Sequence, residues 1–188
     1  EGVKYAILRA SYGREKDAYF EEHYKAAKAA GLKVGAYVYA LDLTPHEAYL
    51  TAKWVVQECL AGKQFELPIY YDVEEWDMLQ LSREDLTKVV YSFCEEMERN
   101  KYLCGVYSTR HMFETEMNDV HKRFTPWVAG WSSTIPVFSD GSYIPLWQFG
   151  GEVNLLRDTK VAGRVCDQNY MYTDFSAAIK NGGFNGYG

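Results

Sequence analysis

The feature that most constrains the fold is a regular alternation of apolar segments with segments of helical periodicity over the first 108 residues. The apolar segments predict buried strands, and the segments between them predict helices bounded by capping residues and glycines. The connections are short, which is typical of a parallel sheet with crossover helices, and right-handed crossovers curl such a sheet toward a barrel. The predicted strands are residues 4–11, 33–40, 66–73 and 103–108, and the predicted helices are residues 17–30, 44–60 and 82–100.

The rest of the chain is strand-rich and poor in helices. The fold class predicted is therefore α/β, an irregular TIM-like (β/α) barrel, with residues 1–180 forming one domain. Residues 181–188 are rich in Gly and Asn, which indicates a frayed terminus or the start of a linker. The predicted elements are a short helix at residues 112–118, strands at 126–131, 144–149 and 164–169, and a last helix at 173–180.

Composition argues against several classes of partner. The net charge is −6 and the basic residues are scattered, so we do not expect a nucleic-acid partner. The sequence has no apolar stretch long enough to cross a membrane. The four cysteines form no CxxC pair and the four histidines have no HExxH spacing, so we expect no metal and no cofactor. The histidines are His23, His46, His111 and His121.

The strongest chemical signal is the pair Asp72 and Glu74. The two residues follow an apolar run, Ile69 to Tyr71, and residues two apart on a strand project to the same face, roughly 6.5–7 Å apart. Two carboxylates that close repel each other, so one retains its proton to higher pH, as a general acid must. Asp167 is a third candidate, at the end of the last predicted strand. From the residues alone, a solvated acidic loop explains the pair about equally well.

Seven segments carry a resemblance to a known family. In this order along the chain, they resemble segments of glycoside hydrolase family 25, the lysozymes of Chalaropsis type. The segments are YAILRASYG (5–13), AGLKVGAYVY (30–39), LPIYYDVE (67–74), GVYS (105–108), WVA (127–129), LWQF (146–149) and CDQN (166–169).

The resemblance implies an activity and a set of site residues. It implies cleavage, with retention, of the β-1,4 bond between N-acetylmuramic acid and N-acetylglucosamine in peptidoglycan, by an extracellular enzyme that is secreted or phage-delivered. Glu74 would be the general acid, and Asp72 would position the substrate's N-acetyl group or stabilise charge. Asp167 would be a further carboxylate of the cleft. By the same resemblance, the residues lining the sugar groove would be Arg9, Tyr37, Tyr39, Tyr107, Trp131, Trp147 and Gln148.

One departure from the family concerns the first strand. The family carries an Asp there, in a pattern like G-x-D-x-S, whereas this sequence starts beyond that point. We therefore expect the first β-α unit to be missing and the sheet to have an open edge, through which copies could associate. A catalytically inactive or impaired peptidoglycan-binding homologue is the alternative function.

Two other hydrolase classes fit less well. A chitinase-type barrel places several acidic residues at alternate positions before its catalytic Glu, whereas Tyr70 stands two positions before Asp72. Metal-dependent hydrolysis would need clustered ligands, and the histidines are isolated along the sequence.

Overall fold

The computed structural model describes residues 2–151, 160–161 and 163–188. Within these residues, eight strands form one curled sheet in the order β10-β7-β6-β5-β4-β3-β1-β2, and two strands form a separate hairpin. The strands are β1 (Tyr5–Tyr12), β2 (Glu15–Lys16), β3 (Lys33–Tyr39), β4 (Ile69–Asp72), β5 (Cys104–Thr109), β6 (Thr125–Ala129), β7 (Leu146–Gly150), β8 (Lys160–Val161), β9 (Arg164–Val165) and β10 (Gln168–Met171).

The helices begin where the sequence supplies side-chain caps. Thr44 and Glu47 form a reciprocal capping box with Pro45 in the first turn, and the side chain of Ser82 accepts a hydrogen bond from the backbone of Asp85. The helices are α1 (Phe20–Ala29), α2 (Pro45–Val55, continued by a π-helical turn, Val56–Leu60), α3 (Arg83–Arg99), α4 (Arg110–Thr115), α5 (Val120–Arg123) and α6 (Ser176–Gly182). None of these helices has the length and apolar character needed to cross a membrane.

The sheet is open rather than closed. Strands β1, β3, β4, β5, β6 and β7 run parallel, while β2 and β10 join the two ends in antiparallel pairs. In the described part of the chain, β1 and β10 form no ladder with each other, although the Tyr5 hydroxyl donates to the carbonyl of Asn169 at 2.9 Å. This half-barrel confirms the predicted α/β class, its irregular strand-rich C-terminal part and the open edge.

The alternation of side chains along β4 divides the core into two layers. Tyr71 faces the helices and stacks on Phe93 of α3 with ring centroids 4.0 Å apart. Tyr70 faces the concave side and packs edge-on against Trp127. Both tyrosines are fully buried, so both rings stabilise the fold through apolar burial, although in the described residues the Tyr70 hydroxyl has no hydrogen-bond partner. The same alternation turns Asp72 toward the concave side of the sheet.

The C-terminal residues 181–188, expected to form a frayed tail or the start of a linker, contact the rest of the domain through two side chains. Asn185 is fully buried, its side-chain amide donates to the carbonyl of Leu67, and its side-chain oxygen accepts from the backbone N–H of Leu103. The Tyr187 hydroxyl bonds to Glu66. The side chains of Asn185 and Tyr187 thus hold the Gly/Asn-rich C-terminal segment against the rest of the domain. Composition alone does not predict these contacts.

The predicted strand at residues 164–169 is divided into two. Its first half is β9, which pairs with β8, and its second half begins β10, which runs antiparallel to β7. Asp167 therefore lies just before a strand rather than at the end of one. Because β10 is antiparallel, its start lies at the rim where the parallel strands end, so Asp167 still reaches the same rim as Asp72.

Candidate active site

A cavity of about 830 Å³ lies on the concave side, between the edge strands β1 and β10. All three predicted carboxylates, Asp72, Glu74 and Asp167, contribute to its lining. Other predicted site residues that line the same cavity are Arg9, Tyr37, Tyr39, Tyr107 and Gln148.

Asp72 is the most enclosed of the three carboxylates. Its side chain is buried, and among the described residues its Oδ1 atom has no hydrogen-bond partner. Burial raises the pKa of Asp72 well above its usual range, and the charges of Glu74 and Asp167 add to the increase. An unpartnered buried carboxyl is costly for folding, which is typical of a group kept for chemistry.

Glu74 lies at the mouth of the cavity, exposed to solvent and accessible to a ligand. Partial burial of its carboxyl group raises its pKa, and the nearby charges of Asp167 and Glu75 raise it further. The neighbouring Glu75 accepts a hydrogen bond from the Tyr39 hydroxyl at 3.0 Å, which ties the segment after β4 to β3. Glu74 is thus an accessible carboxyl whose proton is retained to higher pH, as general acid catalysis requires.

Most of the chain matches one family of known proteins. The sequence matches the profile of glycosyl hydrolases family 25 over residues 1–156. The chain belongs to that family. No curated protein sequence matches the chain.

Solved structures support the fold of this family 25 chain. The CTP1L endolysin is 25% identical with a TM-score of 0.76, and the alignment covers 93% of this chain and 60% of the endolysin. The modular autolysin LytC from Streptococcus pneumoniae is 22% identical with a TM-score of 0.69, covering 87% of this chain and 39% of the autolysin. A bacterial lysozyme from Streptomyces coelicolor is 20% identical with a TM-score of 0.76, covering 100% of this chain and 88% of that structure. This chain thus spans less than two thirds of the first two proteins.

Three residues of the family 25 chain form a connected hydrogen-bond group beside the carboxylates. Gln148 accepts at its Oε1 atom from the Tyr107 hydroxyl at 2.8 Å and from Nε1 of Trp131 at 3.0 Å. Trp131 does not itself line the cavity, but its ring approaches Gly151, next to the Asp167 carboxylate. Tyr107 pairs in register with Asp72 across β4 and β5, so the group adjoins the strand that carries the acids.

The β1 side of the cavity carries a cation. Arg9 is paired with Asp17 at 2.8 Å, and its side chain remains 49% exposed. Tyr37 lies nearby on β3, and its burial, together with the charge of Asp72, raises its pKa to about 12. The Tyr37 hydroxyl therefore stays protonated and available as a hydrogen-bond donor.

Trp147 lies away from the cavity. It is buried in the core, and its Nε1 atom donates to the carbonyl of Gly130 at 2.8 Å. The reason is the period of two along β7, which turns Gln148 inward and its neighbour Trp147 outward.

Trp127 and Asn169 are among the cavity residues that sequence reasoning missed. The Trp127 ring packs edge-on against Tyr107 with centroids 4.6 Å apart, and its Nε1 atom donates to the Asn169 side chain at 2.8 Å. This bond joins β6 to β10, which are not neighbours in the sheet. The alternation of side chains along β6 predicts that Trp127 and Val128 lie on opposite faces of the sheet. It does not predict which of the two faces is concave.

Proposed function

We propose that this chain is a peptidoglycan hydrolase, a retaining N-acetylmuramidase, that cleaves the β-1,4 bond between N-acetylmuramic acid and N-acetylglucosamine. The observation that carries the proposal is the pair Asp72 and Glu74 lining one cavity at the rim of a family 25 fold. The names of the structural neighbours, which include endolysins, autolysins and lysozymes, support a cell-wall substrate. Such a substrate also implies action outside the cell or at the cell wall, after secretion or phage delivery.

The chemistry assigns separate roles to the carboxyl groups. Glu74 gives its proton to the glycosidic oxygen as the bond from that oxygen to the anomeric carbon breaks. The positive charge that develops at the anomeric carbon is stabilised by Asp72 itself, or by the acetamido oxygen of a substrate that Asp72 positions. Asp167 adds negative charge on the far wall of the cavity. The Glu74 carboxylate then takes a proton from a water molecule that attacks the anomeric carbon from the side of the departed oxygen, so Glu74 regains its proton and the configuration is retained.

The aromatic and polar residues of the cavity bind the glycan in this proposal. Tyr37, Tyr39 and Tyr107 line the cavity with amphipathic side chains, which suit sugars with apolar faces and polar rims. Arg9 supplies a positive charge on the wall of the cavity that β1 forms.

The direct test is loss of turbidity of a purified cell-wall suspension, with mass spectrometry of the borohydride-reduced products. The protein is expected to release fragments ending in reduced N-acetylmuramic acid. The Glu74→Gln variant should be slower by about 10²- to 10⁴-fold, the usual contribution of general acid catalysis. Glu84→Gln is the matched control, because Glu84 is exposed on α3 and lies outside the cavity.

Other results would separate the alternatives. Fragments ending in reduced N-acetylglucosamine would identify a different bond specificity. Sedimentation with cell walls, without release of any reducing ends by either form, would support the inactive peptidoglycan-binding homologue. Equal rates for the natural protein and Glu74→Gln would refute the role of Glu74.

A further inference from the structure

The side-chain amide of Gln148 is held in one orientation by its neighbours. The side chain is only 4% exposed, and its Oε1 atom accepts from both Tyr107 and Trp131. An indole N–H can only donate, so the amide atom that faces Trp131 must be the oxygen. Two donors occupy both lone-pair directions of that oxygen, and the NH₂ group must point away from them.

The NH₂ group of Gln148 is an unused donor within the described part of the chain. Among the described residues, its Nε2 atom donates to no protein acceptor, although Gln148 lines the cavity beside Asp72 and Glu74. A donor that loses its solvent when a ligand binds, without gaining a partner, costs about 1–3 kcal/mol, more than a typical hydrogen bond returns. A side chain oriented by two neighbours, with its only free donor at a ligand cavity, is therefore suited to binding a ligand acceptor.

The neutral acceptor that best distinguishes an N-acetylated amino sugar is its acetamido carbonyl oxygen. Removal of the acetyl group leaves an ammonium, which has three donors and no acceptor. The carboxylates Asp72, Glu74 and Asp167 would attract that ammonium. Gln148 presents a donor instead, so its contact with the ammonium would oppose binding.

We propose that Gln148 determines specificity by donating its amide N–H to an acetamido carbonyl of the glycan, so that the site selects N-acetylated over N-deacetylated strands. This inference rests on the proposed hydrolase function. Trp131 and Tyr107 act as positioning residues, because they fix which end of the amide meets the substrate. The acetamido group belongs either to the muramyl or to the glucosaminyl residue.

The test compares kcat/KM on synthetic tetrasaccharides that are fully acetylated, deacetylated only on the muramyl residues, or deacetylated only on the glucosaminyl residues. The natural protein is expected to prefer the acetylated substrate by about tenfold or more, the ratio that one neutral hydrogen bond supplies. The sugar whose deacetylation carries this penalty is the source of the bound carbonyl.

Gln148→Glu keeps the shape and both bonds from Tyr107 and Trp131, but replaces the N–H donor by an acceptor. It is expected to abolish or reverse the preference for the acetylated substrate. Gln57→Glu is the matched control for an added negative charge, since Gln57 is exposed on the turn after α2 and lies outside the cavity. The control should keep the natural preference.

Trp131→Phe provides a second route if Gln148→Glu folds poorly. It removes only one orienting donor from a half-exposed ring, so the amide can turn over and the preference should fall to an intermediate ratio. An unchanged ratio in both variants, with all substrates still cut, would overturn the role of Gln148. A natural protein that cuts none of the three substrates would instead overturn the hydrolase function, and this inference with it.

Discussion

Gly151 and Asp167 are packed so closely that no side chain fits between them. A Cβ atom on Gly151 would lie 2.3 Å from Oδ1 of Asp167 and 3.0 Å from the ring of Trp131. The glycine directly after β7 therefore allows the third carboxylate and the ring that orients Gln148 to meet at the rim. This close approach gives the first prediction.

Gly151→Ala should reduce kcat/KM by about 10²-fold, because the added methyl group displaces Asp167 or Trp131 by ångström distances. The measurement is cell-wall hydrolysis together with the thermal midpoint. Gly130→Ala is the control on the same rim, where the nearest neighbours of the added methyl would be the Pro136 ring at 3.2 Å and the Trp147 ring at 3.5 Å, with no carboxylate among them. If the two variants lose activity equally, the contact with Asp167 is not the cause.

Asp167→Asn should move the high-pH limb of the activity profile to lower pH. Glu74 must be protonated to act as the acid, and its pKa is raised by partial burial and by the charge of Asp167. Removing that charge lowers the pKa of Glu74, so the active protonated form is lost at lower pH. The pH dependence of kcat/KM measures this shift. A high-pH limb that stays at the same pH, or that moves to higher pH, would contradict the role given to Asp167.

Asp72→Asn should stabilise the fold while it removes activity. The pKa of Asp72 is raised in the folded state, so ionisation of Asp72 destabilises the fold. The stability that the protonated carboxyl allows at low pH is therefore lost as the pH rises through the folded pKa. Asn cannot ionise, and the gain in the variant should therefore be larger at pH 7 than at pH 4. Each kcal/mol corresponds to about 2–4 °C of Tm in a chain of this size. Thermal unfolding at the two pH values tests this, and a variant less stable at pH 7 would refute it.

Asn185→Ala should destabilise the protein through loss of its bonds to Leu67 and Leu103. The substitution leaves a buried carbonyl and a backbone N–H without partners, at a cost of about 1–3 kcal/mol for each unsatisfied group. The free energy of unfolding in urea measures the loss. Asn181→Ala is the control, because Asn181 is exposed on α6. Equal stability of the two variants would mean that the C-terminal segment contributes no anchoring.

The acidic pair and the parallel half of the sheet could be predicted from the sequence because both are local properties. Strand alternation alone gives Asp72 and Glu74 a common direction, and the capping residues Thr44 and Ser82 mark where helices begin. The same reasoning did not distinguish Trp147 from Gln148, since a period of two defines two faces but not which of them is concave.

What the sequence determined by itself was the class of fold and the chemical character of the rim, because periodicity and caps act over a few neighbouring residues. Only the tertiary structure decided the direction of β10, the burial of Asn185 and the orientation of the Gln148 amide. Each of these depends on hydrogen bonds between residues far apart in the chain, and such contacts exist only once the sheet has curled.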